Sequence, residues 1–201
     1  MTTLLHIDSS ILGEMSVTRQ LTADVVQQKK AKHPGLHVIY RDLALHAPEY
    51  LTAEQMALLS KPASQDSSHH DLKHAQTYID EVLKATTIVV GAPMYNFSVP
   101  SQLKSWIDHI LVAGKTFRYT ANGPEPLIPH GKQVIIVSSR GGVYSEGVGV
   151  ALDHQESYLR TALGFIGLKD VVIVRAEGVS QGDHSKLQAI QAAQKVIKQL
   201  S

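Results

Sequence analysis

Short apolar, β-branched runs recur along the chain, each followed by a longer stretch in which apolar residues return every third or fourth position. The runs at residues 4–8, 36–40, 86–91, 134–137 and 171–174 read as strands. The most continuous of them, Ile88, Val89 and Val90, has the pattern of a parallel strand buried on both faces. Between the runs, Val17, Leu21 and Val25 are spaced four apart, and Leu72, Ala75, Ile79, Val82 and Leu83 mark a second helical face. Leu103, Trp106, Ile107, Ile110 and Leu111 mark a third, Leu152, Leu159, Leu163 and Ile166 a fourth, and Leu187, Ile190, Ile197 and Leu200 the last. Helix breakers sit at the seams. His33-Pro34-Gly35 closes the first helix, Gly167 closes the fourth, and Pro100 falls in the first turn of the third.

Five strands alternating with five helices predict one doubly wound α/β domain over residues 1–201, a five-stranded parallel sheet of order 2-1-3-4-5. The ligand crevice then lies where strands 1 and 3 part direction. Two stretches depart from the alternation. Residues 42–70 mix helix formers with Pro48, Pro62 and a Ser-Gln-Asp-Ser-Ser tract, and read as an excursion with a short helix near residues 53–59. Phe117-Arg118-Tyr119-Thr120 alternates with period two, and Asn122-Gly123 is a hairpin turn signal, so a small projection is expected near the crevice.

Composition narrows the chemistry. A formal charge of +1 gives no reason to expect nucleic acid or an anionic membrane as partner. No apolar run approaches the roughly 18 residues of a membrane span, and no signal-peptide pattern opens the chain, so a cytoplasmic protein is expected. With no cysteine, disulfides, thiolate catalysis and zinc–sulfur sites are excluded. Any redox chemistry must come from a bound cofactor.

In this topology three loops converge on the crevice, at residues 9–18, 93–97 and 139–142. The first carries Ser9, Ser10, Ser16 and Thr18 and leads into a helix, whose N-terminal N–H groups and positive dipole end suit a phosphate. Ser16 is equally a helix cap. The loop has neither Gly-x-x-x-x-Gly-Lys-Ser/Thr nor Gly-x-Gly-x-x-Gly, against a nucleotide triphosphate or a Rossmann dinucleotide. The second loop, Ala92-Pro93-Met94-Tyr95-Asn96-Phe97, offers aromatic rings for stacking and an amide that both donates and accepts. Gly141-Gly142 in the third is either a plain turn or a pair of close-approaching backbone donors. A phosphate held by hydroxyls beside an aromatic loop points to FMN.

At these residues the chain resembles the FMN-dependent NADH:quinone oxidoreductases and azoreductases of the flavodoxin-like fold. The resemblance rests on Ala-Pro-Met-Tyr-Asn-Phe (92–97), Thr-Phe-Arg-Tyr-Thr (116–120) with Asn-Gly-Pro-Glu (122–125), and Ser-Arg-Gly-Gly (139–142). Leu-Gly-Phe-Ile-Gly (163–167) and Ala-Glu-Gly (176–178) also match. It implies phosphate contacts from Ser10, Ser16, Val17 and Thr18, although Val17 and Thr18 vary from the usual pattern. It implies flavin-ring contacts from Met94, Tyr95, Asn96 and Phe97 and from Ser139, Arg140, Gly141 and Gly142. It further implies NADH or NADPH as donor, quinones and azo compounds as acceptors, and a homodimer with the active site at its interface. Residues 42–70 match least well. No acid–base residue is assigned: Tyr119 either lines the pocket or donates a proton, Trp106 belongs either to the interface or to the core, and Arg140 meets either the flavin edge or a carboxylate.

Three rival readings are weaker. Gly178-Val179-Ser180-Gln181-Gly182 has the Gly-x-Ser-x-Gly form of a hydrolase nucleophile elbow, but only the adjacent Asp183 and His184 follow it. His69, His70 and His74 cluster without a carboxylate at the metalloprotease position, which favours a solvated face over a metal site. His6, inside the first strand, reads as a satisfied buried or semi-buried histidine. An electron carrier of flavodoxin type, without NAD(P)H oxidation of its own, is the non-enzymatic alternative. The balanced charge and the added hairpin favour an enzyme.

Overall fold

Seven strands form among the described residues, five of them where the β-branched runs stand: β1 (Thr3–Asp8), β2 (His37–Asp42), β3 (Thr87–Pro93), β4 (Phe117–Thr120), β5 (Gly123–Pro126), β6 (Gln133–Arg140) and β7 (Asp170–Glu177). The structure is a computed structural model that describes residues 2–59 and 70–200. Its helices are α1 (Val17–Lys32), α2 (Ala53–Leu59), α3 (His70–Lys84), α4 (Ser101–Ile110), α5 (Glu156–Phe165) and α6 (Asp183–Gln199). Five strands pair in parallel in the order β2-β1-β3-β6-β7. With the antiparallel β4–β5 hairpin set aside, this is the expected 2-1-3-4-5 order, reversing direction between β1 and β3.

Alternation along the central strands feeds two apolar layers. Leu5 and Ile7 of β1, Ile88 and Val90 of β3, and Val134 and Ile136 of β6 pack with residues of α3, α4 and α5. Leu4, Val89, Ile135 and Val137 point the other way, into a layer built with α1 and α6. Each fully buried Val, Leu or Ile contributes about 1.5–3 kcal/mol, and a one-residue slip would exchange the two faces of a strand. The register of the central strands is therefore firmly set. β2, at the sheet edge, is only partly buried.

The structure corrects several expectations. Trp106 is 1% exposed and belongs to the core, not to an interface; its indole N–H finds no hydrogen-bond partner among the described residues. Pro100 precedes α4 as its cap instead of sitting in its first turn. Leu152 lies in a separate 3-10 turn (Gly147–Leu152), and α5 starts only at Glu156. The break has a cause: Asp153 Oδ1 accepts from the N–H groups of Gln155 and Glu156 at 2.9 and 3.1 Å and so restarts the helix. Leu83 and Leu187 lie on exposed surface. Ser139 and Arg140 are strand residues, because β7 extends to Glu177 and pairs with them, so the third loop begins at Gly141.

The excursion after β2 does contain the expected short helix. Thr52 Oγ1 accepts from Gln55 N–H at 3.1 Å while Gln55 Oε1 accepts from Thr52 N–H at 3.0 Å, a reciprocal cap that fixes the start of α2. His69 lies outside the described residues, and of His70 and His74 only their backbone place in α3 is described. Among the described residues no group of three or more His, Cys, Asp or Glu could hold a metal ion. Among them, too, no helix is long and apolar enough to cross a membrane.

Candidate functional site

The sheet delivers three loops to one level. Asp8 of β1 lies beside Gly91 of β3, and Pro93 at the end of β3 lies beside Ser139 of β6. The first loop runs from Ser9 to Ser16 and into α1. Ser16 caps that helix, its Oγ accepting from Arg19 N–H at 3.2 Å and lying 3.0 Å from Thr18 Oγ1. Helix geometry leaves the N–H groups of Val17 and Thr18 without intrahelical acceptors, at the positive end of the dipole. Ser10, Ser16, Val17 and Thr18 are all buried. The Ser10 hydroxyl lies 3.3 Å from that of Tyr95, which also accepts from Ile11 N–H at 3.3 Å. Tyr95 thus joins the first loop to the second, by contacts long for hydrogen bonds and so easily exchanged.

The second loop continues the sheet for one residue, Met94 N–H donating to Ser139 O at 2.8 Å. It then reverses. Tyr95 and Ser98 exchange backbone hydrogen bonds of 3.0 and 3.1 Å around Asn96 and Phe97, whose φ angles are +46° and +71°. Asparagine tolerates this left-handed conformation, whereas for phenylalanine it costs about 1–2 kcal/mol. The turn is braced from the third loop: Phe97 O accepts from His154 N–H at 3.1 Å, and its ring meets that of Tyr144 edge-on at 6.2 Å. Among the described residues the N–H groups of Asn96 and Phe97 have no hydrogen-bond acceptor. Strain and unspent donors together mark a surface shaped for a ligand. Beside the turn lies a groove of about 610 Å³ lined by Ile11, Tyr95, Asn96, Val99, Gln102 and Tyr158.

The third loop rests on a buried charge network. Arg140 is fully buried, and its guanidinium meets Asp153 Oδ2 at 3.0 Å, Glu177 Oε1 at 3.3 Å and Glu156. Its Nε donates to Ser138 Oγ at 3.0 Å. Of the two alternatives for this side chain, the structure places it on carboxylates. Glu177 in turn accepts from the N–H groups of Tyr144 and Ser145 at 2.7 and 3.0 Å and clamps the loop after Gly142. Burial pushes the Glu177 carboxyl up, but its bonds from Ser145 and Tyr144 and the charge of Arg140 prevail and hold it below the usual range. Gly141 is backed by Ser180, whose Oγ would lie 3.0 Å from an added Cβ and whose N–H donates to Gly141 O at 3.1 Å. The Gly-x-Ser-x-Gly segment therefore braces the glycine loop. Among the described residues no hydrogen bond links Ser180 to Asp183 or His184.

Tyr119 lies on the β4–β5 hairpin, 74% exposed, edge-on to Phe117 at 5.4 Å. Within one chain it lines no part of the three-loop crevice. It belongs to a series of exposed apolar side chains that also includes Ile11, Leu12, Met15, Phe97 and Val148.

Sequence reasoning assigned no role to Arg19, Tyr144 or Glu177. Glu177 stood in a quoted motif, but its partner Arg140 is 37 positions away. Arg19 is bonded to Asp42, 23 positions away, and only the sheet order brings β2 beside the first loop.

A family profile described as a flavodoxin-like fold matches residues 2–200. The FMN-dependent NADH:quinone oxidoreductase of Sinorhizobium fredii (strain NBRC 101917 / NGR234) is 54% identical over 195 residues, covering 96% of this chain and 94% of that protein. The protein of the same name from Laribacter hongkongensis (strain HLHK9) is 54% identical over 194 residues, 95% and 96% of the two chains. Among solved structures, an azoreductase from Bacillus anthracis strain Sterne superposes with a TM-score of 0.86 at 28% identity, over 100% of both chains. An FMN-dependent NADH-azoreductase from Bacillus anthracis strain Ames Ancestor, in complex with FMN, shares the fold at 19% identity and a TM-score of 0.82, over 98% and 99% of the chains.

Proposed function

Because this chain belongs to the flavodoxin-like family of FMN-dependent NADH:quinone oxidoreductases, we propose that its three-loop crevice binds FMN and oxidises NADH for the two-electron reduction of quinones and azo compounds. The observation that carries this reading is the strained turn at Asn96–Phe97, whose unspent N–H donors stand beside the capped start of α1. The residues present fit the cofactor. The Val17 and Thr18 N–H groups with the hydroxyls of Ser10, Ser16 and Thr18 would hold the phosphate, and no free cation is needed at a helix start. Met94, Tyr95, Asn96 and Phe97 would border the ring on one side, Ser139, Arg140, Gly141 and Gly142 on the other, Arg140 through its backbone.

Bound FMN supplies the chemistry, accepting a hydride from NAD(P)H and passing two electrons to the acceptor. The chain supplies placement and electrostatics. Backbone N–H groups at Asn96 and Phe97 would donate at one edge of the ring, and those of Gly141 and Gly142 would stabilise negative charge at the other. Rigid donors of this kind need no reorganisation during the reaction, and the Arg140–Glu177 network is what keeps the glycine loop rigid. Donor and acceptor use one face in turn, which gives ping-pong kinetics with parallel initial-rate lines. Intersecting lines would require both to bind together and would exclude the shared face.

The exposed apolar residues around the crevice support a homodimer that covers the site. Two further points of the reading are a role for Tyr119 in lining the partner's pocket and a cytoplasmic setting, where NADH is supplied. The deciding experiment is the visible spectrum of the purified protein before and after anaerobic NADH, with mass spectrometry of the released chromophore. An FMN spectrum that bleaches with NADH alone supports the enzyme over an electron carrier, which would need a separate reductase. A colourless chain that neither takes up FMN nor oxidises NADH overturns the proposal.

A further inference from the structure

Behind the first loop, on the side away from the crevice, Arg19 is the centre of a second polar network. Its backbone N–H donates to Ser16 Oγ at 3.2 Å, and its side chain reaches back to the carbonyl oxygen of Ser10, with Nη2 at 2.9 Å and Nε at 3.3 Å. One residue therefore ties both ends of the segment from Ser10 to Ser16. The other edge of the guanidinium is held by Asp42, with Nη1 and Nη2 at 2.5 and 2.7 Å from its two carboxylate oxygens. Asp42 is fixed independently, its Oδ1 accepting from the N–H groups of Ala44 and Leu45 at 3.0 and 3.1 Å. Nη1 also donates to the Tyr40 hydroxyl at 3.2 Å, and Tyr40 donates to Asp8 Oδ2 at 3.1 Å. Asp8 accepts from Thr22 Oγ1 at 2.8 Å on its other oxygen and lies 3.4 Å from His6 Nε2. His6, Asp8, Ser10, Arg19, Tyr40 and Asp42 line a cavity of about 700 Å³ between α1 and the edge strand β2.

Charge decides what Arg19 is for. Its one positive charge faces Asp42 in a two-pronged pair and Asp8 at 3.8 Å, so two carboxylates already surround it. The Asp42 carboxyl, bonded by Arg19, sits below its usual range. The guanidinium is thus held by acids and by a carbonyl and is not free to act as counter-ion to an anion. Resting on the FMN reading above, we infer that Arg19 is a positioning residue: held by Asp42, it sets the spacing of Ser10 and Ser16 so that the loop receives a phosphate through hydroxyl and N–H groups, without touching the phosphate itself.

The test is calorimetric titration of the full chain, freed of flavin, with FMN and with riboflavin, which lacks only the phosphate. Arg19→Met is expected to raise the Kd for FMN about tenfold and to leave that for riboflavin within about twofold. Parallel losses for both ligands, or no loss for either, overturn the inference, since a merely structural arginine would not distinguish them. Should the Met variant fail to fold, Arg19→Lys, which keeps the charge at Asp42 but lacks the second prong to Ser10, carries the same expectation. Asp42→Asn separates positioning from direct contact. Freeing the guanidinium would tighten FMN binding if Arg19 met the phosphate, and weakens it if Arg19 only positions the loop. A wild-type chain that binds neither flavin overturns the FMN reading itself, a result recognisable before any variant is made.

Discussion

Replacing Arg140 with methionine, an apolar side chain of comparable reach, is expected to cost about 3 kcal/mol of stability at pH 8. Its guanidinium is fully buried, and the three carboxylates around it are 14%, 12% and 14% exposed in their side chains. Removing one partner of a buried ion pair costs about 3–5 kcal/mol, because the opposite charge is left uncompensated. The orphans here are partly provided for. Glu156 keeps Arg175, with Nε at 2.6 Å and Nη2 at 2.7 Å, and Asp153 and Glu177 each keep two backbone N–H donors. That places the cost at the low end of the range, still a large share of the roughly 5–15 kcal/mol that holds a domain together. The sign with pH follows from the carboxylates. In the wild type Glu177 is held below its usual range, so its contribution is present above about pH 4.3 and is lost as pH falls through its lower folded value. Without Arg140 the Glu177 carboxyl loses one of the charges that hold it low, so the wild type's advantage shrinks on acidification. Urea denaturation followed by far-UV circular dichroism should show the midpoint about 1 M lower at pH 8, with a smaller gap at about pH 4. A cost below about 1 kcal/mol at both pH values would refute the network as described.

Three other perturbations have clear expectations. Gly91→Ala would bring a Cβ within 2.7 Å of the buried Asp8 Oδ1 and 3.2 Å of Thr22 Cγ2. It should lower the melting temperature by about 4–8 °C, for a strain of about 2 kcal/mol, and an unchanged melt would contradict that crowding. Trp106→Phe deletes an indole N–H buried without a partner, so its lost packing is largely offset, and chemical denaturation should move by less than about 1 kcal/mol. Tyr119→Ala, at an exposed hairpin position, should leave urea unfolding of a single chain unaltered while weakening self-association about tenfold by sedimentation equilibrium. An unaffected association constant would remove Tyr119 from the proposed interface.

The central strands were legible because burial on both faces forces uninterrupted β-branched runs, and Ile88, Val89 and Val90 have no other good explanation. The edge was less so, since β2 is half exposed and its last two residues, Arg41 and Asp42, look like loop by composition. The fourth helix was read too long because Leu152 fits its period. What sets the helix's later start is the recruitment of Asp153 to two backbone N–H groups and to Arg140, a pairing that no local pattern contains. The candidate loops could be named from the topology, and Ser16 from its capping chemistry. The left-handed turn at Asn96–Phe97 could not, since phenylalanine is among the residues least suited to it. The same holds for Arg19 and Glu177, whose roles exist only once the sheet order is known.

The placement of β1 governs how the chain can come together. Its residues precede those of β2 and β3, yet one of its two ladders waits for β3, with Leu4 opposite Thr87. Until then it can pair only with β2, with α1 packed against it. The organising event is the arrival of Ile88, Val89 and Val90, which supply both apolar layers at once. Closing a loop of that length precedes any gain from the contacts it makes, which sets folding on the slow side for a chain of this size. Before β3 is made, the segment that precedes it carries apolar runs without their full sheet, and the charged surface of α1 and the short span of each run limit the apolar area exposed at that stage.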